Sequence, residues 1–183
     1  MRLFVGLPLA SEVLKELSGA VSRLKVPHDG LRWATPESWH ITLQFLGNTD
    51  QQHFDCVLSR LAEVHAAPVK VRLGALGFFD RTGVFFADVV PTADLVELAG
   101  RVTEVTARCG FEAEKRPYHP HITLARAKGE GRGRPLRALQ DRVPHGVRFS
   151  GFTATEFLLY ESHTRPEGAE YEVRGRFMLG QMD

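Results

Sequence analysis

Hydrophobic positions along this chain switch between a period of two and a period near 3.6, and each switch marks a change of element. Residues 3–9 form a short apolar run that reads as a buried strand. Residues 11–24 follow with Val13, Leu14, Leu17, Val21 and Leu24 at helical spacing. A loop with Pro27, Asp29 and Gly30 leads to a strand over 31–34, a turn at Pro36 and Glu37, and a strand over 40–46 closed by Gly47 and Asn48. A second helix is predicted over 51–65. Strands over 69–76 and 84–90 flank a connection at 77–83, and a third helix runs from Thr92 or Ala93 to Cys109, where Gly110 stops it. Residues 111–115 and a proline-containing turn at 116–120 lead into a strand over 121–127. Residues 152–160 and 171–179 read as paired strands around a loop at 161–168.

Helices alternating with strand pairs that short loops can join predict an α+β fold of mostly antiparallel sheets rather than a doubly wound parallel sheet. No low-complexity linker divides the chain, so 1–183 is expected to be a single domain. Residues 129–133, followed by Arg134 and Pro135, predict an exposed, mobile loop. It is no P-loop, because no Gly-Lys-Ser/Thr follows.

The tetrapeptide His-Ile-Thr-Leu occurs twice, at 40–43 and 121–124. Each copy opens a predicted strand and follows a turn-rich segment, so the chain reads as two duplicated, pseudo-symmetric lobes. Side chains alternate faces along a strand, which puts His40 with Thr42, and His121 with Thr123, opposite the apolar Ile and Leu. If the apolar face of each lobe is its core, two imidazole–hydroxyl pairs project into one groove. A lone His-x-Thr on a strand is usually structural; two matched copies reverse that reading.

These groups suit attack on a phosphodiester. One imidazole can take a proton from water while the other gives one to the departing oxygen, and threonine hydroxyls can donate to the non-bridging oxygens. The scheme requires no metal and no cofactor.

Charge and cysteine content narrow the setting. A net charge of +1, from 23 basic and 22 acidic residues, argues against a protein that neutralises long stretches of nucleic acid backbone. Contact with nucleic acid should be local. Cys56 and Cys109 stand far apart and in no CxxC pair, so they read as reduced core residues of a cytoplasmic protein. The opening MRLFVGLPLA lacks the length of a signal peptide or membrane span, and no membrane association is expected.

With the paired motifs in view, and the second in the form His119-Pro120-His121-Ile122-Thr123-Leu124-Ala125-Arg126, the chain resembles the 2H phosphoesterase superfamily. It is most similar to the bacterial RNA 2′,3′-cyclic phosphodiesterase, or 2′-5′ RNA ligase-like, group, over essentially its whole length. The resemblance implies a groove between two antiparallel sheets and the opening of a terminal 2′,3′-cyclic phosphate to a 2′-phosphate, with ligation of RNA ends as the reverse. It implies His40 as general acid for the leaving O3′, His121 as general base for water, and Thr42 and Thr123 as holders of phosphate oxygens. It further implies a phosphate-binding Arg126 and an aromatic Phe45. Strand parity sends those last two to the core side, unless the strand ends first or a bulge intervenes.

Other readings are weighed beside this one. His119 and His121 at i and i+2 have a spacing that fits zinc, but Pro120 between them and the lack of a carboxylate or cysteine cluster weaken a metallohydrolase. Arg126, Lys128, Arg132, Arg134, Arg137, Arg142 and Arg148 form either a solvated face or a guide for RNA. Phe78, Phe79, Phe85 and Phe86 read as stacking platforms or as core. A cyclic phosphodiesterase for small nucleotides and a non-catalytic RNA-binding module remain as alternatives. The substrate is expected to be RNA ends or nucleotides carrying a 2′,3′-cyclic phosphate, and the protein a monomer.

Overall fold

The apolar runs fold as strands and the 3.6-period segments as helices in the computed structural model, which describes residues 1–129, 133–166 and 168–180. In chain order these are β1 (Arg2–Pro8), α1 (Ser11–Leu24), β2 (Leu31–Trp33), a 3-10 turn (Pro36–Ser38), β3 (His40–Asn48), α2 (Gln51–Leu61), β4 (Val69–Val71), β5 (Leu73–Phe79), β6 (Val84–Val89), α3 (Ala93–Ala107), β7 (His121–Ala127), α4 (Gly133–Gln140), β8 (Phe152–Ala154), β9 (Glu156–Arg165) and β10 (Gly168–Met178). Side chains start two of the helices: Asp50 accepts from the His53 amide at 2.9 Å, and Thr92 accepts from the Leu95 amide at 3.4 Å.

The fold is α+β. One four-stranded sheet has the order β10-β9-β1-β3 and the other β2-β7-β6-β5, every neighbouring pair antiparallel; β4 pairs with β8 separately. The last two strands complete the first sheet, whereas β2, from the first third of the chain, crosses to pair with β7. Helix α3 packs on β3 and α4 on β7. Under the first sheet the Thr106 hydroxyl of α3 donates to Gln44 Oε1 of β3 at 2.6 Å.

Several boundaries move. The strand expected over 69–76 breaks at Arg72 into β4 and β5, and β5 continues to Phe79, so its turn is confined to 80–83. Cross-strand pairing also carries β9 and β10 through most of the expected 161–168 loop. Residues 111–115 form no regular element, and α4 lies where the sequence predicts a loop and a basic run. Part of the loop expected at 129–133 lies outside the described residues.

The cysteine reading needs correction. Cys56 of α2 and Cys109, just past α3, are joined in a disulfide, with Cα atoms 5.9 Å apart across 53 residues of sequence. Spacing along the chain says nothing about two helices that pack side by side, which is why sequence alone misses the pair. The cytoplasmic expectation loses that support, since disulfides persist mainly in oxidising compartments. Among the described residues no helix is long and apolar enough to cross a membrane.

Both motif strands carry a bulge at the same motif position. Against β1, the register of β3 passes from Gly6↔Thr42 to Val5↔Gln44, leaving Leu43 without a partner. Against β6, β7 passes from Phe86↔Thr123 to Phe85↔Ala125, leaving Leu124 without one. Each bulge lets two consecutive side chains turn inward: Leu43 and Gln44 are buried, as are Leu124 and Ala125. The next residue, Phe45 or Arg126, therefore returns to the face of the histidines.

Candidate functional site

Strands β3 and β7 approach one another where the two sheets meet, and a groove of about 440 Å³ opens between them. His40, Thr42 and Phe45 line it from one side, His121, Thr123 and Arg126 from the other. The Tyr118 hydroxyl donates to the Thr42 carbonyl at 2.9 Å, tying the turn before the second motif to the strand of the first.

The two histidines are held in the same way. Nδ1 of His40 lies 2.8 Å from the Ser38 carbonyl and Nδ1 of His121 lies 2.8 Å from the His119 carbonyl. A carbonyl only accepts, so Nδ1 carries the hydrogen in both rings and the titrating nitrogen is Nε2. His40 Nε2 is 3.1 Å from Thr42 Oγ1. A neutral His40 accepts there from the hydroxyl, and a cationic one donates to it.

Aromatic rings wall each imidazole. Phe4 (4.5 Å between centroids) and Tyr171 (5.1 Å) flank His40; Phe79 (5.1 Å) and Phe86 (5.5 Å) flank His121. Phe79 and Phe86 stack on each other at 4.1 Å, while Phe85 is wholly buried. Space for this packing comes from glycine at two points. A Cβ on Gly6 would meet the Ile41 carbonyl at 2.9 Å, and one on Gly77 would meet the Phe86 ring at 2.7 Å.

Burial behind these rings pushes the His40 pKa down to about 4, because the charged form loses solvation; the charges of His121 and Arg126 push the same way, and the Ser38 carbonyl opposes them. His121 is lowered too, chiefly by burial, against the support of the His119 carbonyl and the Asp88 carboxylate. Asp88 accepts from His119 Nε2 at 2.9 Å, so His119 is anchored by its ring and holds His121 by its carbonyl.

Of the basic run after the second motif, Arg126 lines the groove, whereas Arg142 donates to the Leu24 and Ala138 carbonyls, and Arg132 lies outside the described residues. Among the groove residues that escaped sequence reasoning are Arg2 and Phe4 on β1, Arg32 on β2 and Tyr171 on β10. Arg32 stands directly opposite Arg126 in the β2–β7 register. Among the described residues, the one group of three side chains placed to share a metal ion is Glu161, His163 and Glu172 on β9 and β10, where Glu161 also pairs with Arg174. His119 and His121 are not part of it.

The sequence profile of the 2′-5′ RNA ligase superfamily matches residues 13–164. The chain belongs to that superfamily, the 2H phosphoesterases. A Thermus thermophilus member, named RNA 2′,3′-cyclic phosphodiesterase, is 32% identical over 98% of this chain and 90% of its own. A Methanocaldococcus jannaschii protein of the same name is 28% identical over 94% and 98%. Among solved structures, a protein from Thermus thermophilus superposes with a TM-score of 0.78 at 28% identity over 100% of both chains. Escherichia coli LigT complexed with 3′-AMP gives 0.80 at 24% identity over 98% of each, a likeness of fold.

Proposed function

We propose that this chain is a metal-independent RNA 2′,3′-cyclic phosphodiesterase that opens a terminal cyclic phosphate to a 2′-phosphate. The observation that carries this reading is the convergence of two His-x-Thr pairs on one groove, each imidazole anchored through Nδ1 so that Nε2 is the nitrogen left to exchange a proton. The names of the relatives support the same activity. The matched bulges support taking the chain as one domain whose two halves repeat a common unit.

In the proposed step, His121 Nε2 takes a proton from water as its oxygen attacks phosphorus, the P–O3′ bond breaks, and His40 Nε2 gives its proton to the departing O3′. The 2′-phosphate remains on the ribose, and the exchanged protonation states reset by solvent. Thr42 and Thr123 donate to the non-bridging oxygens, and Arg126 faces the same charge. Phe45, 68% exposed, offers its ring to the nucleobase. An RNA 5′-hydroxyl in place of water gives a 2′-5′ linkage by the same route.

The test is an RNA oligomer ending in a 2′,3′-cyclic phosphate, incubated with protein after exhaustive chelation, with the product isomer identified by phosphorus NMR. A 2′-phosphate is expected. A 3′-phosphate, no turnover, or activity restored only by added metal overturns the corresponding part of the reading.

A further inference from the structure

The groove holds more positive charge than the reacting phosphate needs. A cyclic phosphodiester carries a single negative charge, and the proposed step already sets Arg126 and one cationic imidazole against it. Arg2 and Arg32 line the same groove, and no carboxylate does so among the described residues. That is a local excess in a chain whose net charge is only +1.

Arg32 and Arg126 stand directly opposite one another on neighbouring antiparallel strands. Like charges in that position weaken a sheet. Some arginines elsewhere are neutralised, among them Arg60, Arg101, Arg165 and Arg176, each paired with a glutamate. Among the described residues no such partner faces Arg2, Arg32 or Arg126. Arg2 lines the groove from the facing sheet, on the strand whose Phe4 packs against His40. The charges continue in one direction, since Arg126 lies beyond the bulge from His121 and Arg32 beside it. A side-by-side pair with a third guanidinium in the opposite wall makes a cradle for an anion, and forked guanidiniums favour phosphate oxygens.

We propose that Arg32 and Arg2 form a second phosphate subsite, one nucleotide from the reacting phosphate, which takes the 5′-phosphate group of the terminal nucleotide. This rests on the cyclic phosphodiesterase reading and names the substrate class more narrowly: a 2′,3′-cyclic phosphate bearing a phosphate on its 5′ side, as every RNA end longer than one nucleoside does. A plain nucleoside 2′,3′-cyclic phosphate leaves the cradle empty.

The experiment compares adenosine 2′,3′-cyclic phosphate with its 5′-phosphorylated form in wild type, Arg32→Gln, Arg2→Gln and Arg32→Lys. The wild-type kcat/KM should favour the 5′-phosphorylated substrate by roughly tenfold or more, a charge-assisted contact being worth at least that. The preference should fall toward one in Arg32→Gln, through KM, and partly return in Arg32→Lys. A wild type without preference, or an Arg32→Gln variant that keeps it, overturns the proposal. A parallel titration calorimetry arm with 2′-AMP and adenosine 2′,5′-bisphosphate needs no turnover. If the protein opens neither substrate yet binds the bisphosphate more tightly, and Arg32→Gln abolishes that difference, the proposed activity falls and the subsite stands. Equal binding of the two nucleotides removes the subsite whatever the activity.

Discussion

Following kcat/KM from pH 4 to pH 9 in wild type, His40→Ala and His121→Ala tests the proposed division of labour. Free enzyme must hold His40 charged and His121 neutral at once. With the His40 pKa near 4, only about one molecule in a thousand has His40 charged at pH 7. Both histidines are lowered from 6.5, so the alkaline descent of kcat/KM begins below that pH and amounts to about a hundredfold between pH 6.5 and 8.5. Each alanine variant should lose at least ~100-fold at the optimum. His121→Ala should lose the acidic limb and keep a descent starting near pH 4; His40→Ala should keep only the acidic limb. The wild-type breaks belong to the interacting pair, so the variants make the assignment. A bound phosphate anion raises both histidines, which moves the limbs for kcat to higher pH than those for kcat/KM. A p-nitrophenyl phosphodiester, whose leaving group needs no proton, should rescue His40→Ala far more than His121→Ala. A wild-type kcat/KM that stays flat from pH 6.5 to 8.5, with chemistry limiting, refutes the need for a cationic histidine. Equal rescue of the two variants refutes the roles given to them.

Asp88→Asn removes a charge that raises the His121 pKa, so in a His40→Ala background, where the acidic limb reports His121 alone, that limb should move to lower pH while Asp88→Glu largely preserves it; an unmoved limb there would show that the carboxylate field is not felt at the ring. Because His40 is harder to protonate folded than unfolded, its stabilising contribution is complete above pH 6.5 and is lost as pH falls toward 4. Urea unfolding should show ~2 kcal/mol less stability at pH 5 than at pH 7 from this source, and His40→Gln should remove that part of the slope. Reducing the Cys56–Cys109 bridge, which closes 53 residues of chain, should cost about 4 kcal/mol, with Cys56→Ser equally destabilised but indifferent to reductant; an unchanged urea midpoint on reduction would count against a structural bridge.

Element type was largely legible because periodicity is local: the helix at Ser11–Leu24 and the strand at His121–Ala127 have the bounds that their apolar spacing predicts. The His-x-Thr pairs were legible as candidates because a strand's alternation places them on one face. What the sequence hid depends on more than one strand. A bulge is a property of two paired strands, so parity counting along β3 or β7 alone sends Phe45 and Arg126 inward. The one available signal was their shared offset, five residues past each histidine. Arg32 reaches the groove because β2 crosses to β7, and Phe4, Tyr171 and Phe79 become walls only when sheets assemble around the imidazoles. The cysteine pair was hidden for the same reason.

The matched bulges divide each motif strand into two mechanically different parts. Up to the threonine, the register with β1 or β6 fixes where every side chain points. Beyond the unpaired leucine, one further side chain is delivered back to the groove with a core anchor of two inward residues beneath it. That sixth position can therefore vary without moving the backbone that carries the first and third, although a charge placed there is felt by the histidines. Here it is phenylalanine on one side and arginine on the other. A chain built this way can change what it grips by altering one residue per half, with the histidines and threonines left in place and their titration retuned only by the charge at 126. Selection for new substrates, in nature or in the laboratory, should act first at 45 and 126.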